Sequence, residues 1–417
     1  MRVDVQAGAS DKRRPSPVGM LPLSKPFTIL AWIALVLGLA LPALYPRATN
    51  IGVLVIMAIG LLAVIIQRKN LDIFRQKGIA TLLIACAILL VALLPTAKSA
   101  QHVLAIFILA PLIFAGCYAF IVSHIADRIT PLLIGSLAAL GACGGAAIAG
   151  YEVIVLGAGR GGFLVNNPIH LADLSVALGF IALVGLYDRS PWRWLVLMGP
   201  VAALAATLWS GSRGPLVGFA ALAIVGGAFL VFTLWHGSRA MRWTFGLAVA
   251  LVLAVSPFVE ISLGGRVLSA QSILASFTET EAPDGSMRER AVMYQSALAA
   301  FGASPIYGHG MIGYAGIAAQ YAPPGTTMSV YDHLHSDIAD FAVIGGIVGL
   351  VGYALILLAP LVGAFRARGS ALYLAIVMSV GYLVMGLTNA MIGILSQTVL
   401  FGVVTALIAI LAKREAE

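Results

Sequence analysis

The stretch Gly78–Pro95, GIATLLIACAILLVALLP, decides the fold. It carries no charge, and Thr81 is its one hydroxyl. A bilayer's hydrocarbon core is about 30 Å thick and takes roughly 20 apolar residues to cross as a helix. Lipid offers the backbone no hydrogen bonds, so only helices and closed barrels can span it. A barrel strand would alternate apolar and polar residues, and this run is continuous. Runs of the same kind recur at 27–45, 50–66, 102–122, 129–150, 170–187, 192–210, 214–235, 243–263, 338–363, 371–389 and 392–412. With 78–95 they predict twelve transmembrane helices. The whole chain agrees: 60% of its 417 residues are hydrophobic and 10% charged. Soluble proteins carry about 25% charged residues, so little of this surface is wet.

The expected fold class is therefore an all-α polytopic membrane protein. Residues 1–26 are polar and basic. No small-residue cleavage site follows the first run, so Phe27–Tyr45 reads as a retained helix. Cys86, Cys117 and Cys143 lie inside apolar runs, with no disulfide or metal spacing.

Lys and Arg set the orientation, because short cytoplasmic loops collect them. With the N-terminus inside, 18 of the 25 basic residues fall on inside segments. Seven fall outside, and three of those lie in a segment too long for the rule, which applies below about 60 residues. The expected division is a cytoplasmic tail at 1–26, helices one to nine over 27–263, and an outside loop with amphipathic helices over 264–337. Helices ten to twelve over 338–412 and a tail at 413–417 complete it. The net charge of +8 is mostly this inside bias, and it points to anionic lipid rather than nucleic acid.

Orientation makes the outside arginines informative. Arg160 and Arg213 stand at helix ends, and Arg288 and Arg290 in the long loop. Taken singly, each reads as an arginine snorkelling to the headgroups or pairing in a loop. Taken together, on the side that should exclude them, they suit a membrane-borne anion. The planar guanidinium offers phosphate two parallel hydrogen bonds and does not deprotonate. Ser210-Gly211-Ser212-Arg213-Gly214-Pro215 leaves room only for a tight reversal, which sets Arg213 at a helix N-terminus, itself favourable to anions. Ser286–Phe301 reads as an amphipathic helix capped by Asp284 or Ser286, with Arg290, Tyr294 and Ala297 on one face. The plain alternative is a packing helix.

Tyr331-Asp332-His333-Leu334-His335-Ser336-Asp337 precedes the tenth run. Histidine suits proton transfer near neutral pH. Local spacing does not choose between His333 and His335, and a polar helix start capped by Ser336 or Asp337 accounts for the segment equally well. A zinc site is weakly indicated, since two histidines two apart suit a strand and no cysteine joins them.

These residues resemble the O-antigen ligase family, within the wider group that includes O-antigen polymerases. The family's signature is His, then Asn, Ser or Gln, nine residues, Gly, two residues, Gly. Here it is His335-Ser336, nine residues, Gly346, Ile347-Val348, Gly349, which selects His335 over His333. Arg213 in Ser-Arg-Gly, Arg290 four residues before Tyr294, the turn Pro305–Gly310, and Arg160 ahead of Asn166-Asn167-Pro168 are similar to other family features. The resemblance implies a multi-helix membrane glycosyltransferase of the GT-C-like kind with one large periplasmic loop. It would sit in the bacterial inner membrane and face the periplasm. Its implied donor is an undecaprenyl pyrophosphate-linked glycan and its acceptor a hydroxyl of lipid A–core. Arg160, Arg213, Arg288 and Arg290 would bind the pyrophosphate. His335 would act as general base or orient the acceptor, with inversion at the anomeric carbon and no metal or cofactor.

Two alternatives remain open at this level. A polymerase would use the same donor, but such enzymes often carry Arg, ten residues, Gly; Leu171, Ala299 and Phe301 stand where those glycines would be. A transporter would favour broken helices and charges at mid-membrane. Glu152 and Asp173 sit near run ends instead.

Overall fold

Several helices of this chain start where a small polar residue precedes proline. Proline fixes the first helical φ and needs no amide partner there, while the residue before it accepts from the exposed amides. Thr130 accepts from Leu133 N–H, Asn167 from Ile169 N–H, and Ser190 from Trp192 N–H, each ahead of such a proline. The computed structural model describes residues 25–67, 71–165, 167–234, 243, 261–263, 266–268, 285–329 and 331–416.

In chain order the helices are α1 Lys25–Leu35, α2 Pro46–Gln67, α3 Lys77–Leu93, α4 Ala100–Ile106, α5 Ala110–Ile113, α6 Ala115–Val122, α7 Pro131–Gly150 and α8 Pro168–Ala182. They continue with α9 Met198–Ser210, α10 Arg213–Leu234, α11 Gly285–Ala303, α12 Tyr314–Ala319, α13 Asp337–Gly363, α14 Ser370–Gly386 and α15 Leu395–Ala416. Short 3₁₀ or π segments extend several of them, so that α4 to α6 run together as one span, Ala100–Arg128. Among the described residues, 8 helices are long and apolar enough to cross a membrane, and Lys25–Ala40, Lys77–Leu93 and Ser370–Gly386 are shorter apolar helices. The chain is a multi-pass, helical membrane protein.

Eleven of the twelve expected spans correspond to these helices. Most of the ninth, 243–263, lies outside the described residues. Its last three residues depart from expectation: Ile261–Leu263 is a strand, paired antiparallel to Arg266–Leu268 with Ser262 opposite Val267. Ser262 and the two glycines that follow it in sequence weaken a helix, and the backbone groups bond across strands instead.

Packing inside lipid gains nothing from moving apolar surface between two apolar media, so close backbone approach and buried hydrogen bonds do the joining. Gly78 on α3 sits against Ala359 and Gly363 of α13, where an added Cβ would lie 3.0 Å from the Ala359 carbonyl oxygen. Gly179 on α8 meets Gly199 on α9 in the same way. Three fully buried tyrosines tie helices to backbone: Tyr118 to Ala34, Tyr373 to Phe180 and Tyr382 to Gln397, at 2.7–2.8 Å.

The largest departure from a regular bundle is in α13. Gly346 has φ 59° and ψ −145°, which breaks the helix. The break opens the ladder bonds Ile347 to Val343 and Val348 to Ile344. An unsatisfied backbone group in hydrocarbon costs several kcal/mol, so something must replace them. The turn Pro305–Gly310 does. His309 N–H donates to Val343 (2.8 Å) and Gly310 N–H to Ile344 (2.9 Å). Ile347 N–H donates to Pro305 (2.8 Å) and Val348 N–H to Ile306 (3.3 Å). A Cβ at Gly346 would lie 2.6 Å from the Ile306 carbonyl. Gly346 therefore serves a break filled by a loop, where helix-to-helix packing is the sequence expectation.

Candidate functional site

His335 lies at the end of the bundle where α13 begins. It is the one non-glycine residue with positive φ (53°) among the described residues. Left-handed backbone at a bulky residue costs about 1–3 kcal/mol and persists only where the surroundings over-determine it. Here they do. His335 N–H donates to His333 Nδ1 (3.1 Å), and Tyr294 Oη, from α11, donates to the His335 carbonyl (3.2 Å). The neighbouring Leu334, fully buried, donates its N–H to Asp340 Oδ1 (2.8 Å). Ser336 takes the N-cap position of α13 without a side-chain cap bond. The first-turn carboxylates serve other segments instead. Asp337 accepts from Met391 N–H (2.9 Å) and Ile392 N–H (3.2 Å).

The two histidines part company here. His333 has its Nδ1 occupied by the next backbone amide, and its ring lies 6.0 Å from that of His170 on α8. His335 Nδ1 is buried with no hydrogen bond under 3.5 Å, and the Asn389 side chain acts on the ring as an acceptor. Burial, with the Arg290 guanidinium adding to it, pushes the His335 imidazole down to about 4. Burial and the His335 ring push His333 down to about 4 as well. Both rings are neutral near pH 7 and keep a lone pair.

Arg290 acts electrostatically on His335, His333, Tyr294 and Asp173. Arg288, two residues away on α11, is exposed and points about 200° round the helix. Asp284 lies outside the described residues, and α11 starts at Gly285.

The second group of arginines joins through the turn before α10. Gly211 takes the left-handed conformation, φ 60°, that closes α9. Arg160 reaches across to it: Nε donates to the Ser210 carbonyl (2.8 Å) and Nη2 to Ser212 Oγ (3.1 Å). Glu152, 3% exposed, holds the loop after Arg160 by accepting from Phe163 and Leu164 N–H at 3.0 and 2.9 Å. Arg213 is the first residue of α10, and a side chain on Gly214 would run into Thr388.

Leu387–Asn389 is the common floor of the two groups. Thr388 abuts α10, the Leu387 carbonyl accepts from Tyr294 Oη (3.3 Å), and Asn389 faces His335. The structure thus brings His335 and Arg290 together, and Arg160 together with the Arg213 turn. Arg288 stays at the rim. Sequence reasoning overlooked His170 and Asn389, and gave Asp173 no role. An ionisable residue inside a span is a functional candidate by default, so Asp173 was available as a signal. Asn389 was hidden in an apolar run taken as helical to 389 and again from 392. The chain is irregular from Leu387 to Ile394, because Asp337 captures two backbone amides there.

Among the described residues no three His, Cys, Asp or Glu side chains gather as a metal site. Residues 198–354 match the family model described as O-antigen ligase. That span holds Arg213, Arg288, Arg290, His335, Gly346 and Gly349, and leaves Arg160 and Asn389 outside it. No curated protein matches the chain.

Proposed function

We infer the function from one premise: residues 198–354 of this chain match the O-antigen ligase family model. The reading is a membrane glycosyltransferase that takes a glycan from undecaprenyl pyrophosphate and joins it to a hydroxyl of lipid A–core. The observation that carries it is the pairing of a neutral, partly buried imidazole in strained backbone with the Arg290 guanidinium. Charge develops on the pyrophosphate leaving group as the glycosidic bond breaks. Fixed cations aimed at that charge stabilise the transition state. Arg290, Arg213 and Arg160 supply them, with Arg213 also at the N-terminus of α10 and Arg288 farther out, as an exposed contribution at the rim. His335 takes the proton of the acceptor hydroxyl or orients it, and direct displacement inverts the anomeric carbon. No metal is required.

The topology belongs to the same reading. The twelve spans expected from the sequence, the ninth of them lying largely outside the described residues, would put both termini in the cytoplasm and α11 in the periplasm. Residues 264–337 form the periplasmic loop. The basic-residue bias supports it.

The test uses purified full-length protein in nanodiscs, given undecaprenyl pyrophosphate-linked glycan and lipid A–core without an ion gradient. Transfer to lipid A–core, unaffected by chelator, is expected. Extension of one lipid-linked glycan by another would make the chain a polymerase. Transport without transfer would end the enzymatic reading. Cysteine at Gly285 should be labelled from the periplasm, and cysteine at either terminus should not.

A further inference from the structure

Three polar groups, two of them fully buried, converge from separate elements at the candidate base. Asp173 comes from α8, Asn389 from the α14–α15 connection, and His335 from the segment before α13. Asp173 and Asn389 are both 0% exposed, and Asn389 Nδ2 donates to Asp173 Oδ2 at 2.7 Å. A carboxylate only accepts, so the Asp173 oxygen turns the NH₂ of the amide toward itself. Asn389 Oδ1 must then face away from Asp173. It is buried and has no other hydrogen bond, and the same holds for His335 Nδ1. Buried polar atoms left unbonded are costly, and these two are each the partner the other lacks.

We propose that Asn389 is a positioning residue for His335: Asp173 sets the Asn389 amide so that Oδ1 accepts from Nδ1–H, which leaves the imidazole lone pair on Nε2. Which ring nitrogen carries the proton is set by the hydrogen bond made at the other. A neutral amide orients the ring without adding charge beside it. Asp173 in turn fixes the amide, a task for which its own titration is not needed. No atom changes hands in this arrangement; it selects a tautomer and an orientation.

The kinetic arm rests on the transferase reading, and the spectroscopic arm does not. Full-length protein labelled with ¹³C,¹⁵N-histidine is reconstituted in nanodiscs, and His335 is assigned by its loss in His335→Ala. The parent should show His335 as the Nδ1–H tautomer. Asn389→Leu keeps the volume, removes the acceptor, and should give a mixed or reversed tautomer. Turnover should fall by about 10–100-fold, the scale of lost outer-sphere orientation, with KM for the lipid-linked donor within a few-fold. Asp173→Asn alone should partly lose the tautomer, because the Asn389 amide can then flip. The double change Asp173→Asn with Asn389→Asp keeps a donor-to-acceptor chain and should restore the Nδ1–H form and part of the turnover. A merely structural pair would change folding stability and leave tautomer and turnover per folded molecule alone. An Nε2–H parent, or an unchanged tautomer in Asn389→Leu, overturns the proposal.

Discussion

At its C-terminal end α15 uses charge to close backbone. Arg414 donates to the carbonyls of Ala126 (3.0 Å) and Ile129 (2.5 Å). Glu415 accepts from Ser370 Oγ (2.6 Å), Ala371 N–H (3.1 Å) and Gly369 N–H (3.2 Å), capping α14 from a distance. At the other end of the bundle Asp337 and Asp340 also close backbone, but the imidazole between them and α11 is held away from such closure. His335 sits in left-handed backbone, its Nδ1 has no bond under 3.5 Å, and α13 is broken at Gly346. One end therefore spends its charges on caps, and the other keeps a cation and a neutral imidazole in place at a cost in strain. Strain and incomplete satisfaction that persist together point to this end as the place of the proposed chemistry.

The sharpest way to break this comparison is His335→Ala. Turnover should fall by the roughly 10²–10⁴-fold a general base supplies, with donor binding intact, and His333→Ala should stay within a few-fold. Single-turnover transfer decides it; equal losses in both variants would mean the backbone distinction between them has no chemical meaning. The pH profile belongs to the same test. Because His335 is held down near 4, its lone pair is available above that value and lost below it. Transfer should hold its rate as pH drops through 6.5 and decline only toward about 4. An acid limb at the ordinary histidine value would show an exposed ring.

Next in size is Arg290→Ala. Charged hydrogen bonds contribute roughly 1.5–3 kcal/mol, so a loss of about 10–150-fold is expected in matched, folded protein. Lysine should rescue only partly, lacking the paired donors. Arg288→Ala, on the exposed side of α11, should cost less. Parity between the two would contradict the facing of the helix.

Gly346→Ala probes the break itself. The conformation at φ 59° and ψ −145° is one that essentially glycine alone adopts, at a cost of about 1–3 kcal/mol or more for a residue with Cβ, and that Cβ also meets the Ile306 carbonyl at 2.6 Å. Thermal stability should drop, and transfer per folded molecule should drop with it, since the turn no longer seats the start of α13. Gly352→Ala, which meets a leucine side chain on α3, should lower stability without that kinetic loss. The smallest effect is expected from Glu415→Ala: about 1 kcal/mol of stability, as for a lost cap, with transfer unchanged. A kinetic defect there would erase the contrast between the two ends.

The runs of apolar residues were enough to give the helical membrane class and the places of eleven helices or helix groups, eight of them long and apolar enough to cross a membrane. Lipid forces backbone groups to bond locally, so span length is written in composition. Arg213 at a helix start, Arg290 one turn before Tyr294, and His335 before α13 were legible for the same reason, since short spacings fix local geometry. Where the chain departs from regular helix, local signals failed. Met391 and Ile392 read as helix, but Asp337, 54 residues away in sequence, takes the amide of Met391. Gly346 read as a packing glycine, and only the distant Pro305–Gly310 turn shows why the ladder can open there. The meeting of Asp173, Asn389 and His335 spans 216 residues at its longest link. No local propensity encodes such a contact, because it exists only once three separate helix ends are packed side by side.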